Sequence, residues 1–403
     1  MVSGPKTCIP NRTLGAVHAG ALRLAGWLGV LLAAKTLVAC EDGPLPLQDD
    51  PRVRFRAAIA GAPGGAFLSV WGDPRGRRAY VVGGYVGLDP AQAPRGAVGR
   101  LVEYRSPGLF VTRCTVDSAL WWVSGVENAG VLELWAVGDR GRIVRMRADR
   151  CETLTTGLSF PGGDPTFWGV LARAPNDVWI VGGSPRPDGP RGVLLHGDGT
   201  AWRQERLPAG ATEENLYKIA ADGDALYVVG SGGLILRRDA RDGEWTRVGA
   251  PVRSNDHRLF TVSCASGACF AVGGGASGLL LSGEGANWRE VRSAEDAAVD
   301  DLPGLNGVWA RAADDVFAVG VDGFLLHVGG GLHRPRRPLT TAALHGVGGF
   351  GSVVLAVGGE LSNPSPTQRG VILVQDDAAR TFTLDGRLYA SGSLMGSAGG
   401  AGQ

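Results

Sequence analysis

The side chains able to do acid–base, nucleophilic or ligand chemistry are scattered along the chain. Six histidines occur. His18 lies in a basic leader, and His257, His333 and His345 are far apart. His196 and His327 close two matching runs, Gly192-Val193-Leu194-Leu195-His196 and Gly323-Phe324-Leu325-Leu326-His327, which reads as a shared structural register before it reads as metal ligation. No G-x-S-x-G, H-E-x-x-H or P-loop spacing is present. Gly273-Gly274-Gly275 sits at a turn without the following helix that a phosphate cradle needs. The acidic stretch from Glu295 to Asp301 reads as a solvated loop more readily than as a calcium site. The expectation is a protein without a catalytic set, cofactor or metal.

Cysteines and the leader speak to cellular address. Residues 1–40 hold Lys6, Arg12, Arg23 and Lys35 and no acid, with an apolar run from Leu24 to Ala34. That run is shorter than the ~20 residues a membrane span requires. Leu37-Val38-Ala39-Cys40 resembles the bacterial lipobox, in which the cysteine is lipidated and becomes the mature N-terminus. The resemblance implies a lipoprotein signal over residues 1–40, lipidation at Cys40 and a place in the bacterial envelope, on either membrane; plain secretion is the alternative. Residues 41–52 then read as a polar, proline-containing tether. Of the other cysteines, Cys8 leaves with the signal, so four remain. Cys264 and Cys269 flank a short turn and are plausible partners, and Cys114 and Cys151 would have to bridge neighbouring repeats.

What must position any functional residue is a repeat. A bulky residue, a small or branched residue, Val and Gly recur seven times, ending at Gly83, Gly138, Gly182, Gly230, Gly273, Gly320 and Gly358. Upstream of each runs an apolar-x-x-Val/Ile segment: Phe67 to Val70, Leu120 to Val123, Phe167 to Val170, Leu216 to Ile219, Leu259 to Val262, Leu305 to Val308 and Leu344 to Val347. Downstream, Gly99, Gly141, Gly192, Gly233, Gly278, Gly323 and Gly370 each open another apolar run, and Trp202, Trp245 and Trp288 mark a fourth. Three registers with the same count predict an all-β, seven-bladed propeller over residues 53–390, four antiparallel strands per blade. Inner strands covered on both faces should read as unbroken apolar runs, and these do. The glycine closing each second strand is expected to serve a positive φ or a tight turn. Either Val53–Arg56 or Thr381–Leu384 could close the ring beside blade seven. Residues 391–403 form a Gly/Ala/Ser-rich tail, read as flexible.

Composition agrees. Glycine supplies 65 of 403 residues, more than twice the usual ~7%, which disfavours a helix-rich enzyme. The net charge of +1 leaves no basic stripe for nucleic acid.

The W/Y-A-V-G strand followed by an Asp/Gly-rich turn and Trp resembles the Asp-box (BNR-like) propellers, and among them the photosystem II assembly factor-like propellers. The turns that carry it are Gly197-Asp198-Gly199-Thr200-Ala201-Trp202, Asp242-Gly243-Glu244-Trp245 and Gly283-Glu284-Gly285-Ala286-Asn287-Trp288. The resemblance implies architecture and not activity, because such turns are structural. Sialidase-like members resemble one another in an Arg-Ile-Pro segment near the first blade; this chain has Arg206-Leu207-Pro208 in blade three instead.

In such a ring the two middle residues of each innermost strand lie nearest the central channel. They are Leu68/Ser69, Trp121/Trp122, Trp168/Gly169, Tyr217/Lys218, Phe260/Thr261, Asn306/Gly307 and His345/Gly346. Trp121, Trp122, Trp168, Tyr217, Lys218, Phe260, Asn306 and His345 are the candidate binding residues, since an aromatic mouth can stack a sugar ring or grip a peptide; packing between blades is the competing use. Lys218 is the sole lysine after Lys35. Long connections at Gly84–Val98, Gly183–Arg191 and Gly359–Arg369 should emerge on one face. The expectation is a monomeric, non-catalytic, lipid-anchored scaffold for an envelope protein or glycan; the alternative is a carbohydrate-active hydrolase or lyase.

Overall fold

The computed structural model describes residues 47–49 and 53–389, except 77, 94–95, 241–242, 251–257, 276, 292–301, 330, 335–336 and 362–366. Cys40 and the leader, His257, the Glu295–Asp301 stretch and the tail from 391 lie outside the described residues.

Seven antiparallel sheets stand in a ring, one per repeat. Blade three shows the pattern: Thr166–Ala174, Asp177–Gly183, Val193–Gly197 and Trp202–Gln204 pair in sequence order from the channel outward. The second strand explains why the blades stack. Side chains alternate between faces along a strand, so Val178 and Ile180 pack with Trp135 and Val137 of blade two. Trp179 and Val181 pack with Leu216, Leu226 and Val228 of blade four. All four are at most 1% exposed, which is why the strand carries no polar face. The fourth-strand tryptophans add an edge-on ring contact to the blade before. Trp202 meets Trp135 at 6.0 Å, Trp245 meets Trp179 at 5.8 Å and Trp288 meets Tyr227 at 6.0 Å. In the blade-three turn Asp198 Oδ1 accepts hydrogen bonds from the backbone N–H of Ala201 and Thr200 and from the Thr200 hydroxyl. Those donors hold its carboxyl down to about 2.

The glycine that ends each second strand does a different job from the one expected. None of Gly83, Gly138, Gly182, Gly230, Gly273, Gly320 and Gly358 has positive φ. A Cβ on any of them would instead collide with the backbone carbonyl where the innermost strand of its own blade begins: Ala66, Ala119, Thr166, Asn215, Arg258, Gly304 and Ala343 respectively. Close approach of two backbones, and not turn geometry, reserves the position. Positive φ appears at glycines opening third strands, among them Gly141, Gly192, Gly233 and Gly323.

Both candidate closures are used, in different places. The N-terminal strand is Arg56–Ala62, shifted from the expected Val53–Arg56, and it pairs antiparallel with Gly370–Gln375 as the outer strand of blade seven. Phe382–Leu384 runs parallel to the outer strand of blade one, Leu109–Val116, and widens that sheet. Arg56 Nη2 donates to the carbonyls of Asp376 at 2.5 Å and Ala379 at 2.6 Å, and the Tyr104 hydroxyl of blade one donates to Asp376 Oδ2 at 2.6 Å. Leu47–Asp49, within the segment read as tether, runs parallel to Leu332–Arg334 at the edge of blade six. Cys264 and Cys269 face each other across the first hairpin of blade five and are disulfide-bonded, Cα atoms 4.0 Å apart. Cys114 and Cys151 are bonded between the outer strands of blades one and two, Cα atoms 6.3 Å apart.

The glycine contact sets a test. Gly138→Ala should lower unfolding stability by at least about 2 kcal/mol through backbone displacement, whereas Gly249→Ala, with nothing within 4 Å of the new methyl, should stay within about 0.5 kcal/mol. Denaturant melts of the two variants check this, and equal effects would remove the steric argument.

Candidate functional site

Every innermost strand carries a β-bulge at the same place. Pairing with the second strand skips one residue between Phe67 and Ser69, Leu120 and Trp122, Phe167 and Gly169, Leu216 and Lys218, Leu259 and Thr261, Leu305 and Gly307, and Leu344 and Gly346. The skipped residues are Leu68, Trp121, Trp168, Tyr217, Phe260, Asn306 and His345. A bulge bends the strand and re-aims the extra side chain, and all seven line one open cavity of about 500 Å³ at the channel mouth.

Of the second residues of the middle pairs, Ser69 is fully buried and the other six divide by neighbour. Trp122, Lys218 and Thr261 also line the cavity. Gly169, Gly307 and Gly346 are glycines because the next blade's backbone passes close: a Cβ there would lie 2.8 Å from the Tyr217 carbonyl oxygen, 2.8 Å from that of His345 and 2.9 Å from that of Leu68. A bulge residue stands outside the ladder, so its carbonyl needs another partner. Lys218 Nζ donates to the Trp168 carbonyl at 2.7 Å, and Thr261 Oγ1 donates to that of Asn306 at 2.7 Å. Asn306 Nδ2 donates in turn to the Leu344 carbonyl at 3.0 Å.

The wall is aromatic on one side. Trp168 and Tyr217 lie 5.1 Å apart between ring centroids, and Tyr217 and Phe260 5.7 Å apart. Trp121 donates from Nε1 to Asp139 Oδ1 at 2.7 Å; burial raises the Asp139 carboxyl above its ordinary range. His345 is half-buried, its Nε2 2.8 Å from the Gly359 carbonyl oxygen, and burial lowers its pKa. Trp122 also borders a second cavity of about 290 Å³ further along the channel, lined by Trp71, Trp309 and backbone of the inner strands. The aromatics thus pack against the next blade and also line open space.

Sequence reasoning missed the rim. Arg191, Arg258, Asn215, Ser231, Pro185 and Leu361 also line the cavity. Pro185 and Arg191 come from the long connection of blade three and Leu361 from that of blade seven, so those two do share the mouth. The blade-one connection is tied to blade seven by Gln368, whose Oε1 accepts from the Val86 N–H at 2.9 Å and whose Nε2 donates to the Val86 carbonyl at 3.2 Å. Asn215 ties blade four to the blade-three connection, exchanging hydrogen bonds with the backbone of Ser184 at 2.9 and 3.0 Å. The register partners His196 and His327 do not reach the mouth. They stack on Trp179 at 3.8 Å and Phe317 at 4.5 Å, each with Nε2 2.9 Å from an aspartate, Asp177 or Asp315.

Lys218 is strongly perturbed at the mouth. Its side chain is 8% exposed, and its Nζ sits 4.5 Å from the centre of the Trp122 ring. That ring and the Trp168 carbonyl favour the ammonium, but they do not replace the lost hydration, and burial lowers the pKa from 10.5 to about 7. Between those values the unfolded chain binds a proton that the folded chain does not, so stability should rise with pH from about 7 to about 10. Lys218→Met should flatten that rise and leave the profile below pH 7 parallel to wild type. Chemical melts at stepped pH check it, and an unchanged slope in the variant would contradict the assignment.

Neither a protein-family model nor a curated protein matches the sequence. Solved structures do match in fold. YCF48 bound to D1 peptide is 14% identical with a TM-score of 0.56, covering 82% of this chain and 98% of that one. YCF48 from Cyanidioschyzon merolae is 15% identical with a TM-score of 0.55, covering 79% and 98%. The RRP9 WD40 repeats are 10% identical with a TM-score of 0.58, covering 81% and 98%. At such identities the likeness is one of architecture: the chain is an all-β, seven-bladed propeller.

Proposed function

We propose that the chain is a non-catalytic binding propeller that holds a protein partner at its channel mouth, anchored through lipid on Cys40 as a scaffold in the bacterial envelope. One observation carries the binding role: seven bulge side chains from seven blades converge on a single open cavity. Its wall combines an aromatic row, Trp168, Tyr217 and Phe260, with Arg191 and Arg258 at the rim. Aromatic and arginine side chains are the types that dominate binding energy at protein interfaces. A rigid ring holds them in place before a partner arrives, which lowers the ordering cost of association. The similar YCF48 structure with its bound D1 peptide supports a peptide or protein as the occupant in preference to a glycan. The lipobox residues Leu37 to Cys40 and the polar stretch after them support the anchor.

Two measurements test the reading. Capture from native envelope with wild type should recover a partner that Tyr217→Ala/Phe260→Ala and Arg258→Glu lose. Each variant should weaken the complex by at least about 2 kcal/mol, roughly 30-fold, with an unchanged melting profile. Equal capture by all three proteins would sink the mouth as the binding site. Mass spectrometry of the mature N-terminus should find diacylglycerol on Cys40, and an unmodified N-terminus elsewhere would remove the anchor.

A further inference from the structure

The chain contains three lysines, Lys6, Lys35 and Lys218, beside 37 arginines. Only Lys218 belongs to the propeller, and it lies at the floor of the mouth. Arginine would supply charge there, as it does everywhere else in the fold. What arginine cannot supply is a neutral, nucleophilic nitrogen, because a guanidinium keeps its proton under all ordinary conditions, whereas a buried lysine gives one up readily. The one propeller position where the sequence departs from its own habit is thus a residue that lines the open cavity.

The surroundings fit that use. Among the described residues Lys218 forms no ion pair, and its amine contacts the Trp168 carbonyl oxygen and the Trp122 ring face. The other titratable or charged groups lining the cavity are Tyr217, His345, Arg191 and Arg258. The acids next to lining residues are already engaged: Asp139 by Trp121, Glu214 by the Ser231 hydroxyl and Glu360 by the Ala343 N–H. Arg191 and Arg258 on the same lining attract an anion to the space that Lys218 borders.

We propose that Lys218 is a carbonyl-capturing amine, and that the mouth takes a small aldehyde bearing an anionic group and an apolar or aromatic body. The neutral Nζ attacks the carbonyl carbon and a C–N bond forms. The nitrogen gives up its two protons in turn; the carbonyl oxygen takes both and leaves as water as its C–O bond breaks, giving a C=N bond. No electrons are gained or lost, and hydrolysis reverses the step. Arg191 and Arg258 bind the anionic group, and the Trp168–Tyr217–Phe260 row stacks the body. This capture goes beyond the protein-binding reading and does not require it: an adduct can form whether or not a protein partner is recovered.

The test uses the full chain with pyridoxal 5′-phosphate as probe, cyanoborohydride to reduce the imine, and peptide mapping by mass spectrometry. One saturable adduct should appear on Lys218 at pH 7, formed at least about tenfold faster than on an N-acetyl-lysine control whose pKa is the ordinary ~10.4. Its rate should be half-maximal near the folded pKa of about 7. Lys218→Arg should abolish it. Arg191→Ala and Arg258→Ala, which leave the amine in place, should raise the half-saturating concentration several-fold for pyridoxal 5′-phosphate but not for pyridoxal, which lacks the phosphate. Labelling confined to Lys6 or Lys35, or Lys218 labelling no faster than the control, overturns the capture. Equal responses of the two probes to the arginine variants overturn the anionic half of the ligand.

Discussion

The ring depends on how near its backbones come to one another. A blade with apolar side chains on both faces is stable only between two other blades, and the sheets can nest only where main chains touch without a Cβ between them. Two sets of glycines meet that condition. One set, ending each second strand, lets the start of the innermost strand fold against it. The other, Gly169, Gly307 and Gly346, lets the innermost strands of neighbouring blades approach across the channel wall. Ten glycines thus meet a packing requirement, beside a larger set that adopts positive φ, and side chains from all seven blades line one cavity.

Closure of the ring follows from the same need. An open stack would expose one apolar face at each end. The N-terminal strand completes blade seven, and Phe382–Leu384 covers the edge of blade one, so chain segments from both ends meet around Asp376 and Tyr104. Ile59 and Phe382 are both fully buried in the cluster that joins blades seven and one. A polar centre inside an apolar joint is directional: Arg56 reaches the carbonyls it caps only if the N-terminal strand is in register.

The architecture was legible because its signal is repeated: a tetrapeptide present in seven copies overrides any single ambiguous segment. The closing strand had no such help. Arg56–Ala62 reads Arg-Ala-Ala-Ile-Ala-Gly-Ala, with Ile59 as its lone branched residue, and Val53 to Arg56 offered a stronger local alternation. The mouth was half legible. Both middle residues of each inner strand were placed nearest the channel, yet Leu68 and Thr261 were not among the eight binding candidates, and period alone does not tell which of two adjacent residues a bulge will expel. The rim was legible only as loops: the long connections of blades three and seven do bring Pro185, Arg191 and Leu361 to the mouth, but nothing local to Arg258 marks it out among so many arginines. The role of the second-strand glycine was misjudged for a related reason. A sequence displays that a Cβ is missing, not whether torsion or a neighbouring carbonyl forbids it.

The bulges separate two tasks that most β-proteins must solve with the same residues. Ladder hydrogen bonds are set by the paired positions, while Leu68, Trp121, Trp168, Tyr217, Phe260, Asn306 and His345 stand outside the ladder. Substitution at those seven points leaves the scaffold's main-chain bonds intact. In evolutionary terms the torus behaves as a socket with interchangeable pins: descendants of one ancestor can drift toward unrelated ligands, one pin at a time, with no intermediate that has to refold.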